Sequence, residues 1–296
     1  MRYLLICPSH RTVSRLLARS LPLSNVPMLG WSLVEYWLSH LANLGNREVE
    51  EVVLLACDRP EQVEALVSGG ARWNLRVNVR AVPLELTPEQ ALEEFGKPGT
   101  AAKTVVLDNF PDLAGPPLLA GWKEWFQSLL AWMPNANRPD RVGIREMQPG
   151  IWCGLHGRIS SRAVLIPPCW IDESVFVGPG AVVGPEVVLE RGAFVEAKAK
   201  VAHSVIGPDT LVGREVGIRN SVAWGNTLLD LETASEMTVT DAFILSSLHR
   251  PFGTRLRSQW RRLLNLRQRV FTESGPLVWS PAPIQEHRPA DSSFRE

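Results

Sequence analysis

The chain has 296 residues, 45% hydrophobic and 21% charged, and its 31 basic and 31 acidic side chains give a formal net charge of zero. This balance excludes a disordered or collagen-like chain and offers no electrostatic ground for nucleic acid or a strongly acidic substrate. The length suggests about two domains. The four cysteines Cys7, Cys57, Cys153 and Cys169 show no CxxC and no metal spacing, so reduced thiols and a cytoplasmic protein are expected.

Met1–Cys7 is too short an apolar run for a signal peptide and is followed by Pro8. No apolar stretch reaches the roughly 18 residues that a membrane-spanning helix needs. Tyr3-Leu4-Leu5-Ile6-Cys7 reads as a buried strand stopped by Pro8. Leu33 to Leu44 carries a helical apolar stripe closed by Gly45. Glu51 to Ala56 is a second buried strand, and Asp58 caps an expected helix from Arg59 to Val67 with Pro60 in its first turn. Leu75 to Arg80 alternates as a third strand. Thr87, Pro88 and Gln90 form a capping box for a helix to Phe95. Thr104 to Leu107 is a fourth strand ending at Asp108. Alternating strands and helices predict a parallel, Rossmann-like α/β sheet. Trp122 to Trp132 is a further amphipathic helix. Pro134 to Pro139 closes a first domain of residues 1–149, with a short strand-like piece at Arg141 to Arg145.

From Cys153 to about Val222 the sequence repeats every six residues. Aliphatic openers stand at Cys153, Ile159, Leu165, Ile171, Val177, Val183, Leu189, Val195 and Val201, with partners such as Ala163, Cys169, Ala181 and Ala193 four places on. One residue drops out near His203, and the phase resumes at Ile206, Val212 and Ile218. This period fits neither a helix nor a simple strand. It resembles the hexapeptide-repeat left-handed parallel β-helix family, with about three windows per coil, over residues 150–248. Trp170, Phe176 and Phe194 point outward in this phase and need cover, from self-association or from the first domain.

The N-terminal half adds a second resemblance. Pro27-Met28-Leu29-Gly30-Trp31-Ser32-Leu33-Val34-Glu35-Tyr36, Gly70-Ala71-Arg72-Trp73 and Val105-Val106-Leu107-Asp108 look like segments of sugar-phosphate nucleotidyltransferases (NDP-sugar pyrophosphorylases), which place a Rossmann-like domain before a β-helix. The resemblance implies a nucleotide or sugar-phosphate ligand, Asp108 as a ligand of Mg²⁺, and Arg15 as the family's phosphate-binding arginine.

Three departures qualify it. In His10-Arg11-Thr12-Val13-Ser14-Arg15-Leu16, Arg11 and Val13 stand where the family's loop has glycines, whose missing Cβ lets backbone N–H groups approach phosphate. Asn25-Val26-Pro27 lacks the family's next lysine, and the chain between Asp108 and Cys153 leaves little from which to build a sugar-binding half. His10 and Arg11 are candidates for an anion site in place of that loop. Each candidate also has a plain reading: Asp108 as a turn cap, Arg15 as a solvated arginine, Asp58 as a helix cap.

The expectation is a divergent nucleotidyltransferase-like protein of sugar-nucleotide or polysaccharide metabolism. It is weakly active or inactive, with a binding, regulatory or scaffolding role, and oligomeric or partner-bound through the β-helix. The alternatives are an active nucleotidyltransferase using Arg11, Arg15 and Asp108 with Mg²⁺, and a hexapeptide acyltransferase with His203 or His156 as general base. Residues 249–296 form a third segment. His249 to Phe271 holds seven arginines and no acid, a basic amphipathic helix at 251–271 that docks on the protein or meets a partner or an anionic membrane surface. The remainder reads as disordered.

Overall fold

The computed structural model describes residues 1–248 apart from 45–48, 98, 100, 138–140 and 142. The basic helix and tail expected over 249–296 lie outside the described residues.

Four aliphatic segments form one parallel sheet: β1 (Arg2–Ile6), β2 (Glu51–Ala56), β3 (Val77–Ala81) and β4 (Ala102–Val106), in the spatial order β3-β2-β1-β4. Side chains alternate between faces along a strand. Tyr3, Leu5, Val52 and Leu54 therefore enter one core, while Leu4, Ile6, Val53 and Leu55 enter another with Ala91.

The helices are α1 (Ser14–Leu17), α2 (Leu33–Asn43), α3 (Pro60–Val67), α4 (Pro88–Phe95) and α5 (Trp122–Ala136). Thr87 caps α4 with Gln90 as the sequence predicts, and Ser32 with Glu35 closes a second capping box at α2. Asp58 does not cap α3. Arg59 takes the cap position at φ 44°, and the Asp58 carboxylate accepts from its guanidinium at 2.7 and 2.9 Å instead. The α5 helix does not stop at Pro134 but runs through it to Ala136. Proline removes one helical hydrogen bond, and the full burial of Met133 and Ala136 on either side of it offsets that loss. The strand expected at Arg141 forms later, at Arg145–Gln148, and Arg141 is buried.

After Ile151 short strands stack in parallel, an arrangement compatible with a β-helix. Val164 pairs with Val182, Cys169 with Val187 and Phe176 with Phe194, each three six-residue windows on. Past His203 the spacing is one residue shorter, as in Val187 with Ser204 and Val201 with Ile218. The expected openers and partners form the inner column: Ile171, Val177, Val183, Leu189, Val195, Val201, Ala181, Ala193 and Ala199 are buried. Cys153 and Cys169 join it, and burial pushes the Cys169 thiol up to about 12. With no accessible volume at Ala181, we expect Ala181→Phe to cost about 1–3 kcal/mol through overpacking. A fall in the urea midpoint reads this out; an unchanged midpoint would exclude the assigned phase.

The α/β layer and the stacked strands share one apolar core. Trp152, Trp170, Val188, Val205 and Val222, aligned on one outer face of the coils, are buried in the same cluster as Leu5, Tyr36 and Trp125. Trp170, outward from its own coil, is thus covered by the N-terminal part of the chain. Phe176 and Phe194 lie on another face, stacked with centroids 4.2 Å apart and half-buried. Among the described residues no helix is long and apolar enough to cross a membrane.

Candidate functional site

In an open parallel sheet, ligands settle outside the carboxyl ends of the strands where the strand order reverses. Here that point lies between β1 and β4, because the chain leaves β1 toward β2 on one side and returns as β4 on the other. The segment after β1 carries His10, Arg11 and Arg15, and Asp108 follows β4. A cleft of about 1110 Å³ opens over the carboxyl ends of β1, β2 and β3, and His10, Arg11, Arg15, Asp58, Arg59 and Glu85 are among its lining residues, whereas Asp108 is not.

The loop is not a glycine loop in disguise. Val13 sits at φ −76°, in ordinary helical backbone, and its side chain is fully buried in the core. It anchors one helical turn, Ser14–Leu17, instead of cradling phosphate. Ser14 Oγ accepts the Arg11 N–H at 2.9 Å and donates to the Ser9 carbonyl at 3.2 Å, which fixes the turn.

Arg11 is held by Glu85, whose two carboxylate oxygens accept from both ends of its guanidinium. Glu85 Oε2 also accepts from the Ser9 N–H at 3.0 Å and the Ser9 hydroxyl at 3.1 Å. Burial alone would raise the Glu85 carboxyl, but Arg11 and Ser9 outweigh it and hold the group below the usual carboxylate range. Arg59 is similarly engaged, by Asp58 and by the carbonyls of Ala18 and Leu21 at 2.9 and 2.8 Å. His10 and Arg15 are exposed at the cleft.

Asp108 is half-buried, and burial raises its carboxyl above the ordinary value; Arg11 acts against this and Glu85 with it. Mg²⁺ takes ionised carboxylates together with phosphate and water oxygens. Glu85 is committed to Arg11 and Ser9, and among the described residues no group of three or more His, Cys, Asp or Glu side chains is placed to hold a metal ion, so this donor set does not suit a resident Mg²⁺. Of the basic residues that line the cleft, Arg11 and Arg59 are paired with Glu85 and Asp58, while His10 and Arg15 are exposed and face it as candidates for an anion.

Two histidines singled out in the coil region lie at turns with positive φ, His156 at 58° and His203 at 48°. His156 is exposed, whereas His203 Nδ1 lies 2.8 Å from Glu186 Oε2 one coil below. Neither lines the cleft.

Comparison with known protein families finds none that matches the chain, and comparison with curated proteins finds no match.

The sequence reading missed Glu85, which follows β3 in a loop without periodic signal. It also missed a buried cluster of Arg141, Asp172 and Glu190. A signal for the latter was present: Asp172 and Glu190 each directly follow a repeat opener, three windows apart, so two like charges stack in neighbouring coils. Such a pair is costly unless it is bonded or protonated.

Proposed function

We propose that this chain is a divergent nucleotidyltransferase-like protein that binds a nucleotide or sugar phosphate in the cleft at the carboxyl ends of β1, β2 and β3, with little or no turnover. On this reading it acts in sugar-nucleotide or polysaccharide metabolism by binding, regulation or scaffolding. The observation that carries the reading is the convergence of His10, Arg11 and Arg15 on one cleft at the carboxyl ends of the parallel strands. The exposed Arg15 guanidinium there favours phosphate by charge and by paired hydrogen bonds. The loss of catalysis follows from the loop. Catalysis of phosphoryl transfer is mainly positioning and charge neutralisation, and a helical turn anchored by Val13, with Arg11 bound to Glu85, supplies few free donors for either.

The six-residue period and the three-window strand pairing support a left-handed parallel β-helix for residues 150–248. Its Phe176–Phe194 face is the surface offered to a second copy or a partner protein.

The test uses purified protein with a panel of nucleoside triphosphates, sugar 1-phosphates and NDP-sugars, with and without Mg²⁺. At least one phosphate-bearing ligand should raise the melting temperature, and Arg15→Ala should abolish that rise. Arg15→Ala should itself change ligand-free stability by less than about 0.5 kcal/mol, because the side chain is exposed. Pyrophosphate release should stay at background. Mg²⁺-dependent turnover lost in Asp108→Ala would instead establish an active nucleotidyltransferase. No shift with any phosphate ligand, together with acetyl transfer from acyl-CoA that is lost in His203→Ala, would favour the acyltransferase.

A further inference from the structure

One set of anion-binding donors in the cleft is already filled, and the chain itself fills it. Four donors converge on the Glu85 carboxylate. Oε2 accepts the Ser9 N–H at 3.0 Å, the Ser9 hydroxyl at 3.1 Å and Arg11 Nη1 at 3.0 Å, and Oε1 accepts Arg11 Nη2. A backbone N–H, a hydroxyl and a guanidinium fork also suit a phosphate group, because the fork takes carboxylate and phosphate in the same two-pronged geometry. Ser9, Arg11 and Glu85 all line the cleft. The Arg11 and Glu85 side chains are 26% and 21% exposed, so a solute in the cleft meets this pair directly.

The segment that carries Glu85 is loosely held. It joins β3, which ends at Ala81, to α4, which begins at Pro88. The Val82 N–H donates to the Ala56 carbonyl at 3.0 Å, and Thr87 caps α4. Between them the backbone of Pro83, Leu84, Glu85 and Leu86 makes no hydrogen bond among the described residues. Leu84 is 73% exposed, and Leu86 packs only partly buried against the core that holds Ala91. The Glu85 carboxylate is therefore the polar tie from this segment to the loop after β1. The segment can release it without breaking any backbone hydrogen bond, the mark of a region that opens locally at small cost.

We infer that Ser9 and Arg11 form a phosphate site that Glu85 occupies as an internal anion, so that the β3–α4 segment masks the site and a ligand phosphate must displace the carboxylate to use it. The inference rests on the reading of the cleft as a phosphate site and adds its regulation. The apparent affinity is the intrinsic one reduced to the fraction of molecules in which Glu85 is away. Arg15, exposed in the same cleft, is available whether Glu85 is in place or not.

The test is calorimetric titration of inorganic phosphate into the full chain, comparing wild type, Glu85→Ala and Glu85→Gln. The glutamine keeps an acceptor for the Ser9 N–H but cannot accept from both ends of the guanidinium, so it serves where the alanine variant fails to fold. Both variants should bind phosphate about tenfold more tightly than wild type, or better, as the masked fraction is released. In the Glu85→Gln background Arg11→Lys should cancel the gain, because an ammonium keeps the charge and loses the fork. Equal affinity in wild type and the Glu85 variants would overturn the inference while leaving the cleft a phosphate site. A gain that survives Arg11→Lys would overturn it too, since loss of negative charge alone would then explain it. Binding by the Glu85 variants with none by wild type would support the inference and show the unmodified cleft to be closed. Binding by none of the proteins would overturn both readings.

Discussion

Arg141→Ala is expected to destabilise the protein by about 3–5 kcal/mol, the cost of breaking a buried charge pair from one side. The Arg141 side chain is 5% exposed. Its guanidinium lies 4.9 Å from the ring centroids of both Trp31 and Trp170, one from the α/β layer and one from the coils. Nη1 donates to the Tyr36 hydroxyl at 3.1 Å and to the Ala136 carbonyl at 3.2 Å. One side chain therefore joins α2, α5 and the stacked strands, and it is the cation nearest the buried Asp172 and Glu190 carboxyls. Truncation removes the cation–π contacts, takes the donor from the Ala136 carbonyl and the Tyr36 hydroxyl, and removes the cation beside the buried Asp172 carboxyl. Arg141→Lys should recover little of the loss, because an ammonium cannot fill a flat slot between two indoles and reach both acceptors. In an Asp172→Asn background the same truncation should cost less, since the carboxyl that faces Arg141 is gone. Urea unfolding of wild type, the two Arg141 variants, the background and the background with Arg141→Ala measures this. A loss below about 1 kcal/mol for Arg141→Ala in the wild-type background would show that Arg141 is not the keystone described.

The second large effect is a fall in stability as the pH rises. Burial is the main force that lifts the Glu190 carboxyl, to about 8, and the neighbouring Asp172 carboxyl adds to it; the Gly30 and Leu29 N–H groups and Arg141 act in the opposite direction. Burial raises Asp172 too. In the unfolded chain Glu190 is an ordinary carboxyl that ionises near 4.5. Below that pH both states hold the proton and the contribution is whole. Between about 4.5 and about 8 the folded state keeps the proton while the unfolded state has released it, so stability drops with rising pH. The slope for one such group reaches about 1.4 kcal/mol per pH unit, and it flattens once the folded pKa is passed. Glu190→Gln removes the ionisable group. Its amide nitrogen cannot accept from the backbone N–H it would face, so the variant should be less stable than wild type at pH 5. It should then lose much less between pH 5 and 8. Parallel slopes for the two proteins over that range would show that Glu190 is not the group that titrates.

Much of this architecture is written locally. The parallel sheet follows from aliphatic runs at Tyr3, Val52, Val77 and Val105, and the Thr87–Gln90 box starts α4 where its residues predict. Each of these is a short-range preference that tertiary packing did not need to override. Packing did override the proline signal at Pro134, because Met133 and Ala136 are worth more in the core than one helical hydrogen bond. The candidate site was legible only in part. That His10, Arg11 and Arg15 share a cleft follows from their place after the first strand. That Glu85 ties down Arg11 does not, since the two are brought together only when β3 lies two strands away from β1 in the same sheet.

The sequence by itself determined the stacked coils. A six-residue period repeats one structural rule in every window, so each opener such as Val177 or Val195 is specified by its neighbours in the chain, and even the one-residue slip at His203 is visible as a lost position. Only the tertiary structure decided which face of those coils is buried and what lies in the seam. Trp152 and Trp170 become core residues because the α/β layer covers them, and Arg141, Asp172 and Glu190 meet because three distant segments close on one dry volume. Burial and counter-charge depend on which surfaces are brought together and not on the order of residues along one strand, so the repeat stacks Asp172 and Glu190 in neighbouring coils but does not say what closes over them.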